Sequence, residues 1–387
     1  MAGANIVSVS WGDHLKFGNG DGRLETPDAV ARRMAAWKRE LDAGQVLWRT
    51  LRQAPRRIQR GRNLAPPTKP VAPIGWDELA LVPDLARDAG LEAYLYVTIF
   101  DEGWPLAPPA RRARSHHNPF HARDVASQTL FSHAHPEYAC VDRAGRRRHW
   151  GVLSLAYPAV RRYFRERYLA LLDSSRFNGL FLCLRSQSRP PDHADQFGYN
   201  EPVRADCLAA FGEDIRNTAF DRPAWHRVQG GYLTAFLREL RAELTGRGVK
   251  LALGVPRGDI IGPPLGNWTL DWRTWVADGL VDQLIIDQNA SKCPSMWLDL
   301  WPMHRGGGYL QNHLTGDSMP DLEPHVGRDY SPVIAGSDCA LFLARQWHDR
   351  DARLERKLGN LESVSGLVFS SFRHDNARLL ASGDWQD

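Results

Sequence analysis

Lysine is scarce in this 387-residue chain: only six of the 49 basic residues are lysine, the rest arginine. That bias reads first as the signature of a GC-rich genome. Cysteine is scarce too. Cys140, Cys183, Cys207, Cys293 and Cys339 are scattered, odd in number and without a Cys-x-x-Cys pair. This argues against a disulfide scaffold or a zinc ribbon and suits a reducing compartment. No apolar run approaches the roughly 18 residues of a membrane-spanning helix, so no membrane partner is expected. Neither a Gly-x-Ser-x-Gly elbow nor a His-Glu-x-x-His motif occurs. The glycines of WGDHLKFGNGDG do not form the Gly-x-Gly-x-x-Gly turn that opens a dinucleotide-binding sheet. Charge of one sign is also lacking in bulk. The net charge is only +4, acidic residues are spread among the arginines, and nothing resembles a recognition helix or an RNA platform. No nucleic-acid partner is expected. The basic runs at 56–57, 111–112 and 146–148 read as solvated loops, or as a rim that attracts an acidic saccharide.

What is abundant is tryptophan, with 14 residues, which implies either an unusually aromatic core or a cleft lined with indole faces. Short apolar runs alternate with amphipathic stretches. The expected strands are 5–11, 45–50, 91–100, 179–185, 249–255, 282–287, 307–313 and 366–372, apolar throughout as in strands buried on both faces. Expected helices at 26–44, 76–90, 159–174, 224–248, 272–279 and 348–361 lie between them. The first opens on Thr26-Pro27 and stops at Gly44, a cap, a first-turn proline and a glycine terminator. Eight strand–helix alternations predict an α/β fold, a (β/α)8 TIM barrel, filling residues 1–387 as one domain. Two long stretches without helical period, near 101–157 and 186–223, follow the third and fourth strands. Loops in that position lie on the C-terminal face, where barrel enzymes build their sites.

The residues at the expected strand ends are rich in indole, carboxylate, amide and guanidinium groups: Trp11, Asp13 and His14; Trp48 and Arg49; Asp101, Glu102 and Trp104; Arg185 and Arg189; Arg257; Asp287 and Asn289; and Gln311. Such a set hydrogen-bonds hydroxyls in pairs and stacks on apolar ring faces, as a carbohydrate cleft requires. Each has a plainer reading. Asp13 beside Gly12 suits a turn, Asp101-Glu102 an exposed loop start, and Trp11, Trp48 and Trp104 a core. Asp287 ends the apolar run Leu-Ile-Ile, where a carboxylate is costly unless paired or used. Asn200-Glu201-Pro202 resembles the Asn–Glu pair near the fourth strand of many retaining glycosidases, where Glu is the acid/base and Asn binds the sugar 2-hydroxyl; Glu201 lies well past the strand end here.

The segment 135–172 (HPEYACVDRAGRRRHWGVLSLAYPAVRRYFRERYLALL) and the strand 177–184 (FNGLFLCL) resemble the glycosyl-hydrolase-like family 10 of bacterial barrel proteins over the central third of the chain. The resemblance implies a barrel whose fourth strand reads Asp-Gly-Ile-x-Leu-Asp. Asn178 and Cys183 stand at those two aspartates, followed by Leu184 and Arg185, so the family's most plausible catalytic carboxylate is missing.

The expected function is glycoside hydrolysis of an oligo- or polysaccharide, with an acidic one among the candidates. One carboxylic acid protonates the leaving oxygen, and a second carboxylate attacks the anomeric carbon or activates water. Glu201 is expected as the acid and Asp287 as nucleophile or base, with Asp101 and Glu102 as substitutes. Arg49, Arg185, Arg189 and Arg257, with Asp13, His14, Asn289 and Gln311, would bind hydroxyls or an acidic substituent, and Trp11, Trp48 and Trp104 would stack. No cofactor or metal is expected: His133-Ala-His135 lies in the third-strand insertion rather than on a first barrel strand. Two other classes remain open. A non-catalytic carbohydrate-binding barrel is favoured by the missing aspartate, and a metal-dependent hydrolase would need three or more converging His or Asp ligands. The start MAGANIVSVSWGDH carries no signal-peptide pattern, so the sequence as given predicts a cytoplasmic location, or a periplasmic or secreted one if a signal has been removed.

Overall fold

A computed structural model describes residues 5–9, 24–50, 75–100, 102, 129–184, 195–217, 219–261, 268–286, 322–345 and 352–371. In chain order the first elements are β1 (Asn5–Val9), α1 (Pro27–Leu41), β2 (Ala43–Trp48), α2 (Glu78–Asp88) and β3 (Glu92–Thr98). After β3 come α3 (Leu130–Ala134), a 3-10 turn (Pro136–Tyr138) and a hairpin of β4 (Ala139–Val141) and β5 (Arg148–Leu153). Then follow α4 (Pro158–Asp173), β6 (Gly179–Cys183), α5 (Glu201–Phe211), α6 (Arg222–Thr245), β7 (Lys250–Gly254), α7 (Trp272–Ala277) and β8 (Gln283–Ile286). The last are α8 (Leu322–His325), a π-helical turn (Val326–Tyr330), α9 (Ser331–Ile334), β9 (Ala340–Arg345), α10 (Ala352–Gly359) and β10 (Val364–Ser370).

Eight parallel strands close into a barrel in the order β1-β10-β9-β8-β7-β6-β3-β2. With helices between them, this is the expected (β/α)8 architecture. The seventh barrel strand is a correction: Ala340–Arg345 pairs with β8 and β10 and fills the slot expected of 307–313, which lies outside the described residues. The insertions also carry more order than their lack of helical period suggested. The first holds α3 and the β4–β5 hairpin, and the second holds α5.

Local sequence explains the elements. Thr26 accepts the Ala29 N–H at 3.2 Å and Pro27 occupies the first turn of α1, while Val30, Met34, Trp37 and Leu41 form its buried face. Asp221 caps α6 in the same way, accepting the Ala224 N–H at 3.0 Å. Inward-facing Ile6, Leu47, Tyr96, Phe181, Ile285 and Phe342 fill the barrel, and the outward set packs under the helices. At the N-terminal end, Gln45 and Gln283 exchange amide hydrogen bonds across the interior at 2.9 and 3.1 Å, so the buried amides are satisfied. A second device recurs at that end. Asn5 Oδ1 accepts from Leu367 N, Asn178 Oδ1 from Ala93 N, and Asp282 Oδ2 from Leu251 N, at 2.9, 2.9 and 2.6 Å. A side-chain oxygen at the start of a strand thereby finishes its neighbour's ladder. Asn178 works at the base of the barrel, away from the C-terminal face.

Much of the tryptophan belongs to the core: Trp37, Trp48, Trp225, Trp268, Trp272 and Trp275 are all buried. The described cysteines are buried, and burial pushes the Cys140, Cys207 and Cys339 thiols up to about 12. Thiols so placed are inert. No helix among the described residues is long and apolar enough to cross a membrane.

Candidate active site at the C-terminal face

Arg49 follows β2 and lies two residues beyond inward-facing Leu47. Its guanidinium lies 5.4 Å from the centroid of the Tyr96 ring, its Nη2 donates to Thr98 Oγ1 at 3.4 Å, and its backbone N–H reaches Val9 O. Tyr96 belongs to the barrel interior and Thr98 ends β3, so this cation, 3% exposed, sits inside the C-terminal mouth. Cys183, also inward, ends β6. The position that matches the second family aspartate is therefore one a catalytic carboxylate could use, occupied here by a thiol. Phe100 and Trp268 meet edge to face at 5.2 Å, so the loops leaving β3 and β7 touch across the intervening β6.

Arg257 lies three residues beyond β7 and is 2% exposed. Nearby, His325 Nε2 donates to Asp329 Oδ2 at 2.7 Å, and Tyr330 OH accepts the Gly258 N–H at 2.8 Å. Burial first, and then the Arg257 charge, holds the His325 imidazole below its usual pKa. Asp329 is lowered chiefly by its hydrogen bonds from Arg328.

On the side following β6, Asp195 Oδ1 pairs with His226 Nε2 at 3.1 Å, and Asp195 Oδ2 lies 3.7 Å from Arg222 Nη1. Asp195 adopts φ +58° and is buried. Gly198, at φ +115°, lies where a Cβ would stand 2.4 Å from Gln229 Oε1, so only glycine fits this turn.

The other expected residues take different places. Trp48 turns outward, fully buried, and its Nε1 donates to Glu78 Oε2 at 2.9 Å; Thr50 Oγ1 bonds the other carboxylate oxygen. This is the packing role the sequence allowed beside the stacking one. Glu102 is fully buried and faces α4, accepting from Thr129 Oγ1 at 2.7 Å, Arg167 Nη1 at 2.8 Å and Tyr163 OH at 3.1 Å. Burial, followed by the Glu102 charge, raises the Tyr163 hydroxyl well above its ordinary range. Glu201 opens α5 in an exposed position, 3.4 Å from Arg204 and 3.8 Å from Arg216. Asn200 before it spans β4, its Oδ1 taking the Val141 N–H at 3.2 Å and its Nδ2 donating to Ala139 O at 2.9 Å. Glu102 and Glu201 are thus not brought together. Trp11, Asp13, His14, Asp101, Trp104, Arg185, Arg189, Asp287, Asn289 and Gln311 lie outside the described residues. Sequence reasoning missed the His325–Asp329–Tyr330 unit and the Asp195–His226 pair. Among the described residues, no three His, Cys, Asp or Glu side chains are placed to hold a metal ion.

The (β/α)8 architecture is shared with solved glycoside hydrolase structures. The fold matches the glycoside hydrolase domain of PgaB (BpsB) from Bordetella bronchiseptica over 98% of this chain and 97% of that one, with TM-score 0.54 and 14% identity. It also matches a beta-galactosidase from the psychrophilic Marinomonas ef1 over 94% of this chain, with TM-score 0.51 and 12% identity. The chain spans 53% of that enzyme's length. At such identities the likeness is one of fold. No family model and no curated protein matches the sequence.

Proposed function

We propose that this protein is a glycoside hydrolase, that it acts on an oligo- or polysaccharide, and that its cleft favours an acidic sugar. The observation that carries the reading is the Arg49 guanidinium inside the barrel mouth, backed by the Tyr96 ring and with Thr98 beside it. A planar cation over an aromatic face at the catalytic end of a barrel suits a carboxylate or sulfate on a sugar, which the guanidinium fork meets in two parallel hydrogen bonds. Arg257, buried just beyond β7, is the second such group. Asp287, outside the described residues, is assigned as nucleophile or base because it ends the apolar run Leu284-Ile285-Ile286, where a carboxylate is costly unless paired or used. Glu201 is assigned as the acid, with Asp101 as its substitute; the lone pairs of Glu102 are already taken up by Thr129, Tyr163 and Arg167. The test is a screen of nitrophenyl glycosides and acidic and neutral polysaccharides with the wild type beside Asp287→Asn and Glu201→Gln. Loss of turnover by about 100-fold or more in each is expected of groups that transfer a proton or attack. Activity untouched by both changes overturns the assignment.

A second reading, a carbohydrate-binding barrel without catalysis, is favoured by Cys183 in place of a carboxylate at the inward end of β6. It predicts retention of polysaccharide with no product formed.

A further inference from the structure

The loop leaving β7 is held at two consecutive residues, by Tyr330 and by the start of α7. Gly258, at φ +110°, donates its N–H to Tyr330 OH at 2.8 Å. The Tyr330 ring is stacked on Trp272, with centroids 4.3 Å apart and planes 14° from parallel. Trp272 Nε1 in turn donates to Asp259 Oδ1 at 2.9 Å, and Arg273 Nη1 reaches the same oxygen at 2.7 Å. Arg257, immediately before Gly258, is buried.

The segment that carries Tyr330 is unusual in its backbone. Between Val326 and Tyr330 the helix widens by one residue, and the Ser331 N–H closes back on Val326 O. A π-turn of this kind is a poor way to build a plain helix, and such turns concentrate where a helix must present particular side chains. Here it follows His325, whose Nε2–H bonds Asp329, and it delivers Tyr330 to Gly258.

We infer that Tyr330 and His325 are positioning residues, which clamp the loop after β7 so that Arg257 meets an anionic group of the substrate. The inference rests on the proposed role of Arg257 in the cleft. Neither Tyr330 nor His325 need touch the sugar. The phenol fixes the backbone beside Arg257, and the imidazole, tied to Asp329, packs edge to face against the Tyr330 ring at 5.6 Å.

Tyr330→Phe keeps the ring stack and deletes only the hydroxyl. Amide hydrogen exchange in the free protein reads the clamp directly. Gly258 exchange is expected to rise about tenfold in Tyr330→Phe, as for one lost hydrogen bond. Unchanged exchange overturns the clamp. Affinity electrophoresis through polygalacturonate and through dextran reads its purpose. Tyr330→Phe and His325→Gln are expected to lower the preference for polygalacturonate about fivefold, in the direction of Arg257→Met. A general loss of packing would not move that ratio. Wild-type-like preference in Tyr330→Phe beside a weakened Arg257→Met overturns the clamp alone. Wild-type-like preference in Arg257→Met overturns the reading of Arg257, and the clamp's purpose with it.

Discussion

Glu102 takes three side-chain hydrogen bonds, from Thr129, Tyr163 and Arg167, and its own backbone bonds Gly151 O and Thr129 N. It ties the insertion after β3 to α4. Glu102→Gln leaves the Arg167 guanidinium, largely buried, without its counter-charge, and a loss of about 3 kcal/mol is expected in urea unfolding. An exposed loop carboxylate would change stability by less than about 0.5 kcal/mol. Asp214 behaves differently because it lies at the surface. Hydrogen bonds from Arg204, then from the Arg216 N–H, hold its carboxyl down to about 2. A carboxyl lowered on folding contributes stability that is full above its unfolded pKa of about 3.9 and fades as pH falls toward the folded value. Proton titration of Asp214 by NMR should therefore give a midpoint near 2. In Arg204→Met it should return toward about 4.

At the scale of elements, the sheet shows where packing tolerates no change. A Cβ on Gly179 would stand 2.4 Å from the Tyr94 ring, which is itself buried and whose hydroxyl accepts from Gln283 Nε2 at 3.3 Å. Gly179→Ala is expected to cost about 1–3 kcal/mol by overpacking, read as a lowered midpoint in denaturant at unchanged slope. Most helices and strands were legible because their signals are local. Thr26-Pro27 announces a helix start, and Leu180 to Leu182 has the unbroken apolar character of a strand buried on both faces. The strand Ala340–Arg345 was not read, because six apolar-rich residues ending in arginine suit a helix as well as a strand. Glycine-rich 307–313 took its place in the expected order. The β4–β5 hairpin escaped for a related reason: one strand has three residues and the other opens on Arg148-His149. The clamp could not be read at all. Gly258 and Tyr330 are far apart in sequence, and a π-turn has no residue pattern of its own, so only the closed barrel brings them together.

At the scale of the whole molecule, closure depends on the first and last strands. β1 pairs with β10 through Ile6–Val368, Val7–Phe369 and Ser8–Ser370, so the N-terminal strand completes its ladder only when the end of the chain has arrived. Removing residues 364–387 is expected to abolish the near-ultraviolet signal of packed tryptophans. A closed barrel puts the C-terminal strand ends in one ring. That ring is why residues as distant as Arg49 and Arg257 come to the same face of the barrel, and why the proposed function belongs to the molecule rather than to any segment. The cation in the mouth was legible as a residue at a strand end; that it faces inward over Tyr96 required the fold. The most direct test of the account is release of reducing ends from polygalacturonate and other acidic polysaccharides by the wild type, Asp287→Asn and Arg49→Met. The account predicts turnover by the wild type, a loss of about 100-fold or more in Asp287→Asn, and in Arg49→Met a weakened KM for acidic over neutral chains. Turnover equal in all three, or wild-type turnover confined to neutral chains, would contradict it.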